Sequence, residues 1–200
     1  MNTVSNQTQK LVGTAVLIAV IIVLQTAFGS IQLGPFTITL TMVPIIIGAV
    51  LYGPLTGALL GAVFGIVVVI QVITGAVGAG STMMLTMNAP ATVILCILKG
   101  LAAGLVAGAV ASGLGKKHLF AGIIAAAVVA PICNTGIFTA GLVTVFAPLA
   151  QQWAEGAGAS SVWGYILAGI IGVNFVIELI VDVVMAPIIL RIIQAVRASK

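Results

Sequence analysis

The sequence predicts an all-α integral membrane protein: one domain spanning 1–200, a six-transmembrane-helix bundle with both termini cytoplasmic. Composition, the spacing of apolar runs and the placement of the few charges carry that reading. The chain has 200 residues, 62% hydrophobic and 5% charged. A soluble domain carries about 25% charged residues, so this chain has too few to cover a water-facing surface. A helical span needs roughly 20 apolar residues. The chain divides into six such segments, about 8–28, 39–51, 54–73, 90–112, 119–149 and 162–196.

The first segment is long, lacks a small-residue cleavage site and is followed by more of the same, so it reads as a span and not a signal peptide. The second is short and carries Pro44. The tight turn "YGPLTG" separates it from the third. Pro90 opens the fourth. The fifth and sixth exceed what a bilayer requires, so they tilt, kink or protrude. Pro131 and Pro187 are their expected kink points.

The charges test the count. With six spans, Lys10, Lys116, Lys117, Arg191, Arg197 and Lys200 all fall on one side, and Glu155 falls on the other. That is a positive-inside pattern with cytoplasmic termini; five or seven spans would split the basic residues. The net charge of +4 is therefore a topology signal and not a nucleic-acid footprint. The outer connections become 29–38, 75–89 and 150–161. They are the longer, less regular loops, where binding function usually sits, so ligand entry is expected from outside.

Much chemistry is excluded. Cys96 and Cys133 lie in apolar runs and read as small buried hydrophobes. No Cys/His cluster has metal spacing, and His118 reads as a solvated loop residue. "GLGKKH" lacks the phosphate-loop pattern, and no H-E-x-x-H occurs. No catalytic constellation is recognisable and no cofactor is expected; ATP hydrolysis would belong to another subunit.

Small residues recur at four-residue spacing: Gly57, Gly61 and Gly65 in the third segment, Gly100, Gly104 and Gly108 in the fourth, Ala15 and Ala19 in the first. Such stripes let helices approach closely. For the glycines this reads as internal packing. The alanine pair, next to the cytoplasmic end, reads also as a docking patch.

Inside the membrane zone the ionisable residues are Lys99, Glu178 and Asp182. Asn174, Glu178 and Asp182 stand four apart. At 100° per residue each step drifts about 40°, so all three share one face of the sixth helix. That face must point into the bundle or a wet cavity. Lys99 and Glu178 are either a structural pair or a polar ligand site. Asp182, deeper, is as readily bonded to a neighbouring helix. "APICNTGIF" offers Asn134 and Thr135, either repairing the carbonyl that Pro131 leaves free or facing a ligand. "STMMLTMNAP" offers Ser81, Thr82, Thr86 and Asn88, with Met83, Met84 and Met87 as an adaptable wall. Trp153, Trp163 and Tyr165 read as an interfacial belt.

Taken together, these features resemble the substrate-binding (S) component of energy-coupling factor (ECF) transporters, prokaryotic vitamin uptake systems. The resemblance rests on six helices with both ends inside, on Ala15-x-x-x-Ala19, and on "FTITLTMVPIIIGAVLYGPLTGALLGAVFGI". It rests also on "NTGIF" and "NFVIELIVDVVMAPIILRII", and it spans nearly the whole chain. It implies a vitamin or precursor bound in the outer half of the bundle under a lid formed by the first outer loop. It implies a membrane coupling (T) subunit and two cytoplasmic ATPases as partners, Ala15 and Ala19 as the docking surface, and toppling in the membrane to deliver cargo. The chain lacks the Asp-rich segment associated with riboflavin binders and is poor in stacking aromatics. A pantothenate- or pyridoxine-like ligand is expected, with biotin also open. The expected ligand residues are Lys99, Asn134, Thr135, Asn174, Glu178 and Asn88. The alternative is a stand-alone proton- or ion-coupled carrier relaying through Glu178 and Asp182.

Overall fold

Prolines and glycines cut the chain into helices. The computed structural model describes residues 2–29, 32–33, 36–37, 40–115 and 118–198, with side chains for all but 2–5, 32–33, 36–37, 169–171 and 173–174. Lys116, Lys117, Lys200, half of the 29–38 connection and the Asn174 side chain lie outside the described residues. The order is α1 (Asn2–Phe28), a two-residue antiparallel pair β1 (Gln32–Leu33) and β2 (Phe36–Thr37), α2 (Met42–Tyr52), α3 (Pro54–Ile73), α4 (Ala79–Met87) and α5 (Ala89–Leu114). There follow α6 (Leu119–Thr144), α7 (Ala147–Gly156), α8 (Val162–Tyr165), a π-helical stretch (Ile166–Gly172) and α9 (Val173–Ala198).

Each boundary has a local cause. Gly53 takes φ 94°, open to glycine, and Pro54 follows at the start of α3, where its missing N–H costs nothing. Asn88 caps α5, its Oδ1 accepting from the Ala91 N–H at 3.1 Å. The segment read as 119–149 is two helices: α6 ends at Thr144, and Pro148 lies in the first turn of α7. Pro148 has no N–H to extend the ladder of α6, but it fits a helix start. The connections 75–89 and 150–161 hold α4 and most of α7, short helices the sequence reading left as loops.

Four described helices are long and apolar enough to cross a membrane: α1 over Asn6–Phe28, α3, α5 and α6. α2 has 11 residues, about 16 Å of helix, short of a hydrocarbon core of about 30 Å. It lies in the interior of the bundle, with Met42, Ile45, Ile46 and Ala49 fully buried. In α9, Glu178, Asp182 and Arg191 interrupt the apolar run.

α3 and α5 interlock through their glycines. A Cβ added to Gly61 would fall on the Gly100 carbonyl oxygen, one on Gly57 on that of Gly104, and one on Gly104 on that of Gly57. A Cβ on Gly65 would come within 2.6 Å of the Cys96 oxygen, and one on Gly108 within 2.5 Å of Pro54 Cα. As numbers rise along α3 they fall along α5, so the helices are antiparallel with backbone against backbone. Gly is required because any side chain would hold the helices apart.

Two apolar cores result. The first contains Met42, Ile45, Phe64, Ala103 and Ala107, the α6 residues Ile123, Ala126, Ala127 and Ala130, and the α9 residues Ala186, Ile189 and Ile193. The second contains Met84, Leu95, Leu142, Phe146, Leu149, Ala150 and Ile166. The start of α6 thus packs with the end of α9, and the end of α6 with the residues that precede α9. α6 and α9 are antiparallel neighbours.

Candidate functional site

With half-buried Lys99, the buried side chains of Asn134, Glu178 and Asp182 form a polar band on α5, α6 and α9, beside the two cores. On α5, Lys99 is one turn from Leu95 of the second core and one turn from Ala103 of the first. On α6, Asn134 follows Ala130 of the first core by one turn. On α9, Glu178 and Asp182 lie between Ile166 of the second core and Ala186 of the first. Periodicity explains the placement: 178, 182, 186, 189 and 193 are one stripe of α9, and the stripe turns polar where the first core ends.

The Lys99 ammonium lies 5.1 Å from the centroid of the Phe138 ring and 5.9 Å from that of Phe64. Both are within cation–π reach, so Lys99 joins α5 to α3 and α6. Asn134, Glu178 and Asp182 are buried, at 5%, 6% and 1% exposure. Glu178 is engaged within the protein. Asn134 Oδ1 and Asp182 Oδ2 are buried with no hydrogen-bond partner among the described residues. An unmet buried acceptor costs about 1–3 kcal/mol, and native proteins keep few of them.

The other expected residues are placed differently. Thr135, one residue along α6 from Asn134, lines a groove of about 240 Å³ with Ile132, Gly136, Thr139 and Phe175. Ile132 is 49% exposed, so this groove opens on the outer surface of the bundle. Asn88 is exposed and serves as the α5 cap. It precedes Lys99 by eleven residues, about 16 Å along the axis. Asn174 stands one turn before Glu178 in α9. Ala15 and Ala19 are both exposed on α1, beside exposed Leu11, Val12, Val16 and Val23.

Sequence reasoning missed a second polar cluster. Gln25 Nε2 donates to Gln71 Oε1 at 2.8 Å, and Gln71 Nε2 donates to the Gln25 carbonyl at 2.9 Å. Thr41 Oγ1 donates to Gln25 Oε1 at 3.5 Å. All three residues are buried. The bonds tie the end of α1 to the end of α3 and the start of α2. The signal was present: each glutamine is an uncharged polar residue inside an apolar run, "VLQTAF" and "VVIQVI".

Residues 9–190 match the family model described as ECF transporter, substrate-specific component. The chain belongs to this family. No individually curated protein matches it. As an ECF substrate-specific component, the chain is an integral membrane subunit of an uptake system that binds a small-molecule substrate and works with the ECF module. It is a binding subunit and not an enzyme.

Proposed function

We propose that the chain is the high-affinity binding subunit for a vitamin or vitamin precursor, a pantothenate- or pyridoxine-like small polar molecule. In this reading it sits in a prokaryotic plasma membrane with six spans and cytoplasmic termini. It works with a membrane coupling (T) subunit and two cytoplasmic ATPases. Lys99, Asn134 and Glu178 contact the ligand in the band between the cores. Asn174, Thr135 and Asn88 contribute from the side of the second core. Ala15 and Ala19 dock the T subunit.

The observation that carries the reading is the placement of Lys99, Asn134, Glu178 and Asp182 in one band of three adjoining helices, with acceptors left unmet. A packing role alone is a poor reason to keep such groups, because apolar replacements often match or exceed buried ion pairs in stability. The exposure of Ala15 and Ala19 supports α1 as the docking helix. The test is uptake into vesicles. The reading expects transport that needs the ATPases. Uptake by the chain alone, driven by a pH gradient, would instead establish a proton-coupled carrier using Glu178 and Asp182.

A further inference from the structure

Asn134 Oδ1 and Asp182 Oδ2 are the same kind of atom in the same predicament. Each is a buried acceptor without a donor among the described residues. Asn134 lies one turn beyond Ala130 on α6, and Asp182 lies one turn before Ala186 on α9. Both alanines are fully buried members of the first core. Since α6 and α9 are antiparallel, both steps lead the same way, out of that core and into the polar band. The two acceptors thus sit on neighbouring helices in the polar band, with the Glu178 carboxylate a turn further along α9. Lys99 in the same band is turned to the faces of Phe64 and Phe138. A carboxylate and an amide oxygen can be satisfied only by positive charge or by N–H and O–H donors.

We propose that Asn134 Oδ1 and the Asp182 carboxylate together form a subsite for a cationic group: an amidinium- or pyridinium-type head group of the carried molecule, or a monovalent metal ion of the same charge. The inference rests on the binding-subunit reading and narrows it. A pyridoxine- or pyrimidine-like ligand offers such a head group. A pantothenate-like acid brings a negative charge into a band that already holds two carboxylates. Asp182, set aside on sequence as the less useful acid, becomes a specificity residue.

Thermal unfolding of the purified full chain in detergent tests this, with acetamidinium chloride and sodium chloride as probes and bulky N-methylglucamine chloride as baseline. Acetamidinium or sodium at saturation is expected to raise Tm by about 2 °C or more, and Asp182→Asn is expected to abolish the rise. A rise with acetamidinium alone assigns the subsite to the substrate's head group; a rise with sodium alone assigns it to a metal ion. Asp182→Asn is expected to fold with an unchanged or higher Tm, because its new amide gives Asn134 Oδ1 the donor it lacks. Asn134→Leu, similar in volume, is the second variant and is expected to weaken the probe's effect. No rise with either probe overturns the subsite, as does an equal rise in Asp182→Asn. A lowered Tm in Asp182→Asn also overturns it, since the Asn134 amide would then already donate to the carboxylate. Where acetamidinium is the probe that binds, a vitamin bound equally well by wild type and Asp182→Asn overturns the subsite and leaves the binding-subunit reading intact. Asp182-dependent cation binding in a chain that takes no vitamin does the reverse.

Discussion

The α3–α5 seam and the α5–α6–α9 band share a helix and are opposites in construction. In the seam, glycines bring two backbones together and a single methyl group would collide with a carbonyl oxygen. In the band, large polar side chains are buried and two of their oxygens are left without donors. The seam has no unused capacity. The band has capacity that nothing in the described protein takes up. α5 therefore serves as a rigid wall, fixed on its glycine face and presenting Lys99 on another. Apolar close packing holds the bundle; the unmet polarity is what supports the proposal of a ligand site there.

If the seam is structural, it should fail by loss of the fold. Gly61→Leu is expected to cost about 3 kcal/mol or more, the upper range for overpacking, and to abolish recovery of monodisperse protein in size-exclusion chromatography. A variant that folds and binds normally would remove the distinction between the two regions. The glutamine cluster gives a middle case, buried and polar but satisfied. Gln71→Leu leaves Gln25 without its partner and is expected to cost about 1–3 kcal/mol, read as a lowered Tm. The double change Gln25→Leu with Gln71→Leu is expected to recover part of that loss.

The band should fail by loss of ligand with the fold retained. Lys99→Met and Glu178→Gln are each expected to weaken binding at least about tenfold, about 1.4 kcal/mol, in equilibrium binding to a vitamin panel. If the double variant recovers binding, the two residues were scaffolding. The smallest effect is expected at Asn88→Ala, which removes the α5 cap and should cost about 1 kcal/mol of stability. A loss of binding larger than the loss of Tm would give Asn88 a role at the ligand beyond its cap.

Much of the fold was legible because it is local. The segment 54–73 matches α3 at both ends, since Gly53 and Pro54 mark its start in sequence and in space. The glycine stripes were legible as stripes, but which helices they join was not, because that depends on register between distant segments. The break after Thr144 was missed because apolarity runs through it, and only Pro148 argues for a new helix. The π-helical stretch Ile166–Gly172 has no periodic signature distinct from the apolar run around it. At the site, spacing alone put Glu178 and Asp182 on one face. It ranked Asp182 by depth, and depth says nothing of partners; the unmet oxygen appears only once α6 and α9 are placed side by side.

The central claim is that the band between the two cores holds the transported ligand. Native mass spectrometry of the purified chain tests it most directly, on wild type and on the Lys99→Met, Glu178→Gln double variant. The expected result is one small polar molecule per wild-type chain, identified by its mass, and none in a double variant of unchanged Tm. A folded wild-type chain that carries no small molecule and binds nothing across a vitamin panel would contradict the claim.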